Sequence, residues 1–289
     1  MSIKKENRFN CYVLGRAQDA GVPHIGCTKE CCKNARSAQK TEMQACLGVH
    51  DTKTNKLVLI EATPSIEKQV SLLHRLSGVT NKKPFIDALL MTHAHIGHYG
   101  GLLLLGKEAA LTNKIPTFIT SNFSKFLQGN APWSDLISNQ NLAINNIEPN
   151  TKFEPISDLF IEAIHVPHRK DHTDTVAFKI YGENKSVLFM PDIDYIEGHE
   201  HLIGDVDIAF IDGTFYDSNE IPNRSISTIP HPLICDTMNH LQEYAKKTPE
   251  KIRFIHFNHS NPALNNDEVQ HEISSRCFNI AKKNEKIPI

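Results

Sequence analysis

The chain has 289 residues, with 31 Lys and Arg against 33 Asp and Glu and a formal charge of −2, so no global basic field exists to hold a nucleic-acid backbone. With 40% hydrophobic and 22% charged residues it is neither disordered nor fibrous, and no apolar run approaches the ~18 residues that a membrane-crossing helix requires. The opening Met-Ser-Ile-Lys-Lys-Glu-Asn-Arg is polar with no apolar stretch behind a basic start, which predicts a cytoplasmic chain without a signal peptide.

In chain order, residues 11–15 predict a short strand ending at Gly15, 56–60 a second and 86–91 a third. Between the last two, Thr63-Pro64 reads as a helix start, followed by Ile66, Val70, Leu73 and Leu76 at helical spacing. Gly101 to Leu111 suits a helix buried on one side, 116–120 a strand, and Ser121 the start of another helix. Residues 130–158, rich in Asn, Ser and Pro, predict loops around a strand near 142–147. Strands follow at 159–166, 175–181, 186–190 and 208–211, then a helix at 233–245, a strand at 252–257 and a helix after Asn266. No internal repeat or long linker interrupts this order, so residues 1–289 read as one domain of α/β class with mixed sheets, carrying a Cys-rich loop at about 24–33.

Two counts need explaining, 16 His and 7 Cys. An odd number of cysteines in a cytoplasmic chain argues against a disulfide framework and for metal binding where thiols cluster. The segment Thr92-His93-Ala-His95-Ile-Gly97-His98 places three imidazoles within six residues, directly after a strand. Neutral imidazoles are ligands for zinc, iron or manganese, and three on firm scaffolding approach the set of a catalytic ion with an open position. His168 follows Pro167 where a second strand should stop, with His165 and His172 as weaker neighbours. Asp192 ends the apolar run 188–190, where it can bridge two ions, orient a water or simply make a turn. His256 and His259 end the strand 252–257. A separate loop, His24-Ile-Gly-Cys27-Thr-Lys-Glu-Cys31-Cys32, offers three thiols to one tetrahedral zinc, with free thiols and a redox pair as the other readings.

The run His93-Ala-His95-Ile-Gly-His98, followed by His168, Asp192 and His259, resembles the metallo-β-lactamase superfamily motif His-x-His-x-Asp-His. Within it the chain is similar to the pyrroloquinoline quinone biosynthesis protein B family through 13–27, Glu61-Ala-Thr-Pro64, Asp212-Gly-Thr-Phe-Tyr216 and 254–262, across essentially its whole length. The resemblance implies an αββα sandwich of two mixed sheets flanked by helices, with His93, His95 and His168 around a first metal, His98 and His259 at a second, and Asp192 shared between them. Because Gly97 stands where the superfamily has Asp, the second position lacks a carboxylate. Superfamily phosphodiesterases of carbon-phosphorus lyase pathways resemble the chain in a cysteine-rich loop closed by a C-terminal histidine. That implies a structural zinc on Cys27, Cys31, Cys32 and His256, with His24 the local alternative.

These readings converge on metal-assisted hydrolysis of an ester or phosphodiester-like small molecule. One or two catalytic ions would activate water, zinc first with iron or manganese as alternatives, and Asp192 and His259 would serve catalysis. Ile229-Pro-His231-Pro and the 212–216 turn are candidate substrate contacts or scaffold. Two alternatives stand beside this: an iron-dependent oxygenase in quinone cofactor formation, and an inactive metal-stabilised binding or carrier protein. Dispersed Lys and Arg and the lack of an aromatic run predict no nucleic-acid partner and no membrane partner; oligomeric state is not legible.

Overall fold

The computed structural model describes residues 7–220 and 230–289; residues 1–6 and Ile229 of the pattern noted above lie outside them. Two seven-stranded sheets face each other. The first comprises β1 (Phe9–Gly15), β2 (Cys46–Asp51), β3 (Lys56–Ile60), β4 (Ala88–Leu90), β5 (Ile115–Thr120), β6 (Leu142–Ile147) and the last strand, β14 (Lys286–Pro288), in the order β14-β1-β2-β3-β4-β5-β6. The second comprises β7 (Lys152–Ile156), β8 (Leu159–His165), β9 (Val176–Tyr181), β10 (Ser186–Met190), β11 (Ile208–Asp212), β12 (Ile252–Ile255) and β13 (Asn279–Ile280), in the order β13-β12-β11-β10-β9-β8-β7.

The alternation of side chains along each strand builds three apolar layers. Val58, Ile60 and Leu90 point inward, against Ile161, Phe178, Phe189 and Phe210 of the facing sheet. Their neighbours Leu57, Leu59 and Leu89 point outward, under helices α2 (Ile66–Ser77), α4 (Ser121–Gly129) and α5 (Trp133–Ser138). Leu188, Met190 and Phe254 do the same beneath α6 (Glu200–Gly204), α7 (Ile234–Lys247) and α8 (Asp267–Ser275). Central strands buried on both faces must be apolar at every position, which is why they read as continuous runs. The architecture is the αββα sandwich of two mixed sheets.

Several local expectations change. Ser65, not Thr63, precedes the first turn of α2; Thr63 Oγ1 instead accepts from Ser65 N at 3.1 Å. Gly100–Leu105 forms a 3-10 helix rather than the start of an α-helix, and Trp133–Ser138 and Lys152–Ile156 are regular elements where loops were expected. Cys46–Asp51 is a strand that periodicity did not reveal: all six residues are buried, so it shows no alternation. Among the described residues no helix is long and apolar enough to cross a membrane.

Strand direction locates the functional edge. β1 and β3 each pair antiparallel with β2, and β4 runs parallel to β3, so β1, β3 and β4 end on one side. In the second sheet β8 and β10 each pair antiparallel with β9, and β11 and β12 run parallel to β10. Seven carboxyl ends therefore carry the loops that matter: Gly15 leads to Asp19, Ile60 to Glu61, Leu90 to His93, His165 to His168, Met190 to Asp192, Asp212 to Thr214, and Ile255 to His256. The two sheets are joined at this edge by Val176 N to Thr92 O (3.2 Å) and Ala94 N to Thr173 Oγ1 (3.0 Å).

Candidate metal centre

His93, His95 and His168 offer ligand atoms within 4.8 Å of one another, as do Asp19, His98 and His256, and His93, His98 and Asp192. Asp192 lies between these groups. Its Oδ2 is 3.0 Å from His98 Nε2 and 3.4 Å from His256 Nε2, while its Oδ1 is 3.7 Å from His168 Nε2. His95 Nδ1 and His168 Nε2 are 3.3 Å apart, and so are His98 Nε2 and His256 Nε2. Nitrogen ligands at ~2.0–2.1 Å from a tetrahedral ion stand about 3.3–3.4 Å apart, so both spacings fit.

Three of the five imidazoles, His93, His256 and His168, carry a hydrogen bond on the opposite ring atom, and the other two face a carboxylate there. Thr92 Oγ1 donates to Glu61 Oε1 at 2.6 Å, so its lone pair accepts from His93 Nδ1 at 2.9 Å and leaves the His93 Nε2 lone pair facing inward. Thr214 Oγ1 donates to Asp212 Oδ1 (2.7 Å) and accepts from His256 Nδ1 (3.0 Å), with the same result. His168 Nδ1 donates to Asp194 Oδ1 at 3.0 Å, Asp171 Oδ2 stands 3.5 Å from His95 Nε2, and Glu61 Oε1 stands 3.3 Å from His98 Nδ1. Such outer carboxylates and hydroxyls select the tautomer that can ligate.

Burial lowers the imidazoles unevenly: at His98 it is outweighed by Asp192 and Glu61, which hold that ring well above the usual imidazole range. Burial, with the surrounding imidazoles, holds His93 well below the usual imidazole range and brings His95 down to about 4, so both are neutral ligands near pH 7. Burial would raise the Asp192 carboxyl, but His256 and His98 keep it well below the usual range. His93 Nε2, Asp19 Oδ1 and Asp192 Oδ2 are buried and make no hydrogen bond among the described residues. Leaving such atoms unpaired costs about 1–3 kcal/mol each; a cation among them removes that cost, so the donor set fits a divalent metal.

The carboxylate missing at position 97 is replaced from elsewhere. A Cβ on Gly97 would stand 2.3 Å from Asp19 Oδ1 and 2.4 Å from Asp19 Cα: the turn at Gln18–Gly21, closed by Gly21 N to Gln18 O (2.8 Å), occupies the space a side chain at 97 would fill. Asp19 Oδ1 is 4.0 Å from His98 Nε2. Sequence reasoning passed over Asp19; the one clue was that a glycine inside a histidine motif leaves room for another group.

The two late histidines exchange places relative to expectation. His256 belongs to the imidazole cluster, and His259 lies with Cys27, Cys31 and Cys32. His256, directly after β12, has φ +68°, which turns the chain so that a residue three positions on reaches the cysteine loop. That loop is held by α1 (Glu30–Ser37), whose Arg36 donates to Cys27 O and His24 O. Cys31 and Cys32, in the first turn of α1, hold their sulfurs 4.0 Å apart, close to the edge of about 3.8 Å for two thiolates on one zinc with ~2.3 Å bonds. Adjacency in sequence is therefore no obstacle. His24 does not join the cluster; its ring lies 4.4 Å from that of His259. Burial and the neighbouring Cys32 push the Cys31 thiol up to about 11, as expected for sulfurs crowded together without a cation.

His231 is 8% exposed, with Nδ1 2.7 Å from Asp212 Oδ2 and 3.8 Å from Asp192 Oδ1. The Asp212-Gly-Thr segment thus acts as support for His231 and His256. His165 is half exposed beside Asp174, and the His172 ring packs 5.3 Å from that of Phe126; both stand outside the cluster.

The profile of the "Beta-lactamase superfamily domain" matches residues 56–257. A "Coenzyme PQQ synthesis protein B" of Acinetobacter baumannii (strain AYE) is 24% identical over 298 residues, covering 91% of this chain and 93% of that protein. Among solved structures, the Zn2+-bound PqqB of Methylobacterium extorquens superposes with a TM-score of 0.82 at 18% identity, over 97% of this chain and all of the other. A diphosphatase of the PhnP family gives 0.69 at 19% identity, over 96% of each chain. At these identities the structural likenesses establish the fold.

Proposed function

The chain belongs to the β-lactamase superfamily, and on that premise we propose that it is a metal-dependent hydrolase of ester or phosphodiester-like small molecules. The observation that carries this reading is the placement of Asp192, whose two oxygens reach the His93, His95 and His168 group on one side and the Asp19, His98 and His256 group on the other. A divalent ion at such a site lowers the pKa of water to near neutrality and polarises a carbonyl or phosphoryl oxygen. Asp194, Thr92, Glu61, Asp171 and Thr214 keep the imidazoles in ligating tautomers. His231, with Nδ1 held by Asp212 at 2.7 Å, acts through Nε2 as the proton donor to a leaving oxygen.

The same reading assigns a structural zinc to Cys27, Cys31, Cys32 and His259, apart from the catalytic centre. Cys31→Ser is expected to lower zinc content by one per chain and the thermal midpoint by about 5 °C, measured by elemental analysis and thermal unfolding; unchanged zinc content removes this site.

The function is tested by stripping the protein with a chelator and restoring zinc, manganese or iron singly. Hydrolysis of bis(4-nitrophenyl) phosphate or an aryl ester should vanish and return with the metal. The names of the relatives favour an oxidative step in cofactor synthesis as the alternative. Oxygen consumption with iron and no hydrolysis would establish that alternative, and metal retention with neither activity would establish a binding protein.

A further inference from the structure

Beside His168 the sandwich opens into a cavity of about 1180 Å3. His168 and Asp194 line it, together with Lys125 and Phe126 of α4 and Tyr195. The loop between β8 and β9 closes it with Arg169, Lys170 and His172. Three permanent cations therefore face a cavity whose two carboxylates are already engaged: Asp194 holds His168 Nδ1 at 3.0 Å, and Asp174 accepts from Thr120 Oγ1 at 2.6 Å. Among the described residues Lys125 and Lys170 make no ion pair, and Arg169 reaches only Asp171 at 3.7 Å, with both side chains about half exposed. The Phe126 and His172 rings lie 5.3 Å apart with planes at 31°, and Tyr195 leaves half its surface exposed. One cavity thus joins flat apolar surface and uncompensated positive charge to a ligand of the metal centre. Thr175 Oγ1, in the same lining, is buried with no hydrogen-bond partner among the described residues.

We propose that this cleft binds the part of the substrate beyond the scissile bond, and that this part carries a flat ring with its own anionic group, a carboxylate or a phosphate. The proposal rests on the hydrolase reading for the location of the scissile bond. Aromatic side chains supply faces for a ring, and cations at a partly exposed site favour an anion and steer it inward from solution.

Product-like probes test it without turnover. Titration calorimetry on the zinc-loaded protein compares phenyl phosphate with 4-carboxyphenyl phosphate and 1,4-phenylene bisphosphate, which add a second anion of either kind. One or both of the probes with a second anionic group should bind about tenfold tighter or better, with a steeper dependence on salt. In Lys125→Ala/Lys170→Ala that gain should disappear while phenyl phosphate affinity and metal content stay unchanged. Which probe gains more names the anion. Equal affinity for all three probes, or a gain that survives in the double variant, overturns the subsite. Tight binding of a probe with a second anionic group, in a protein that hydrolyses no ester, overturns the hydrolase reading and leaves the subsite standing.

Discussion

Replacing Asp192 with Ala is expected to empty both metal positions and lower kcat/KM by about 10³-fold or more, the scale on which enzymes lose rate when a group stabilising the transition state is removed. Among the described residues Asp192 is the one carboxylate within reach of His98 and His256 through Oδ2 and of His168 through Oδ1. Its loss leaves five imidazoles with no shared anion to offset two divalent charges. Asp194→Asn makes the contrast. Asp194 touches only the outer nitrogen of His168, so its variant should lose about 10–100-fold in metal affinity, as for other outer partners of ligating histidines, and retain measurable turnover at saturating metal. Elemental analysis, metal titration and kinetics separate the two; two ions retained in the Asp192 variant would rule out the shared-ligand role.

The second large effect concerns Asp19 and Gly97. Asp19→Ala is expected to lose one of two catalytic ions and most of the activity, because among the described residues it removes the only carboxylate grouped with both His98 and His256 besides Asp192. Gly97→Asp alone is expected to be worse. A Cβ there meets Asp19 Cα at 2.4 Å, and backbone yields less readily than a flexible side chain, so the 18–21 turn must shift; overpacking of this kind costs about 1–3 kcal/mol. The double variant Asp19→Gly/Gly97→Asp removes part of the clash and restores a carboxylate on the same side of His98. It should recover metal content and activity above both single variants. Metal stoichiometry, thermal midpoint and turnover follow the outcome; a double variant no better than Asp19→Ala would mean that Asp19 serves only the packing of its turn.

Much of the architecture was legible because buried strands and amphipathic helices write their environment into local periodicity. The runs at 56–60, 186–190 and 208–211 lie in the sheets where expected. The strand Cys46–Asp51 escaped notice because complete burial removes the alternation that marks a half-exposed strand. The last two strands are only two and three residues long, too short for any period. In the centre, His93, His95, His98, His168 and Asp192 announced themselves because each follows the end of an apolar run. Asp19 did not: it sits in a turn between Gly15 and Gly21 that carries no period, and its importance depends on what lies across from it.

The sequence alone determined the chemistry of the donors, an α/β architecture with mixed sheets and the grouping of candidate metal ligands into two sets, since residue type, spacing and strand periodicity are local properties; the αββα layering was what the family resemblance implied. Tertiary structure alone decided how those donors are shared out. His256 and His259 are three residues apart at the end of one strand, yet with the backbone turned at His256 (φ +68°) the first joins the imidazoles and the second the thiols. Gly97 read as a missing ligand, yet the absence of its side chain makes room for Asp19, some eighty residues earlier in the chain. Distances between loops at the edges of two facing sheets are set by packing of the layers beneath them, and that packing is a property of the whole fold.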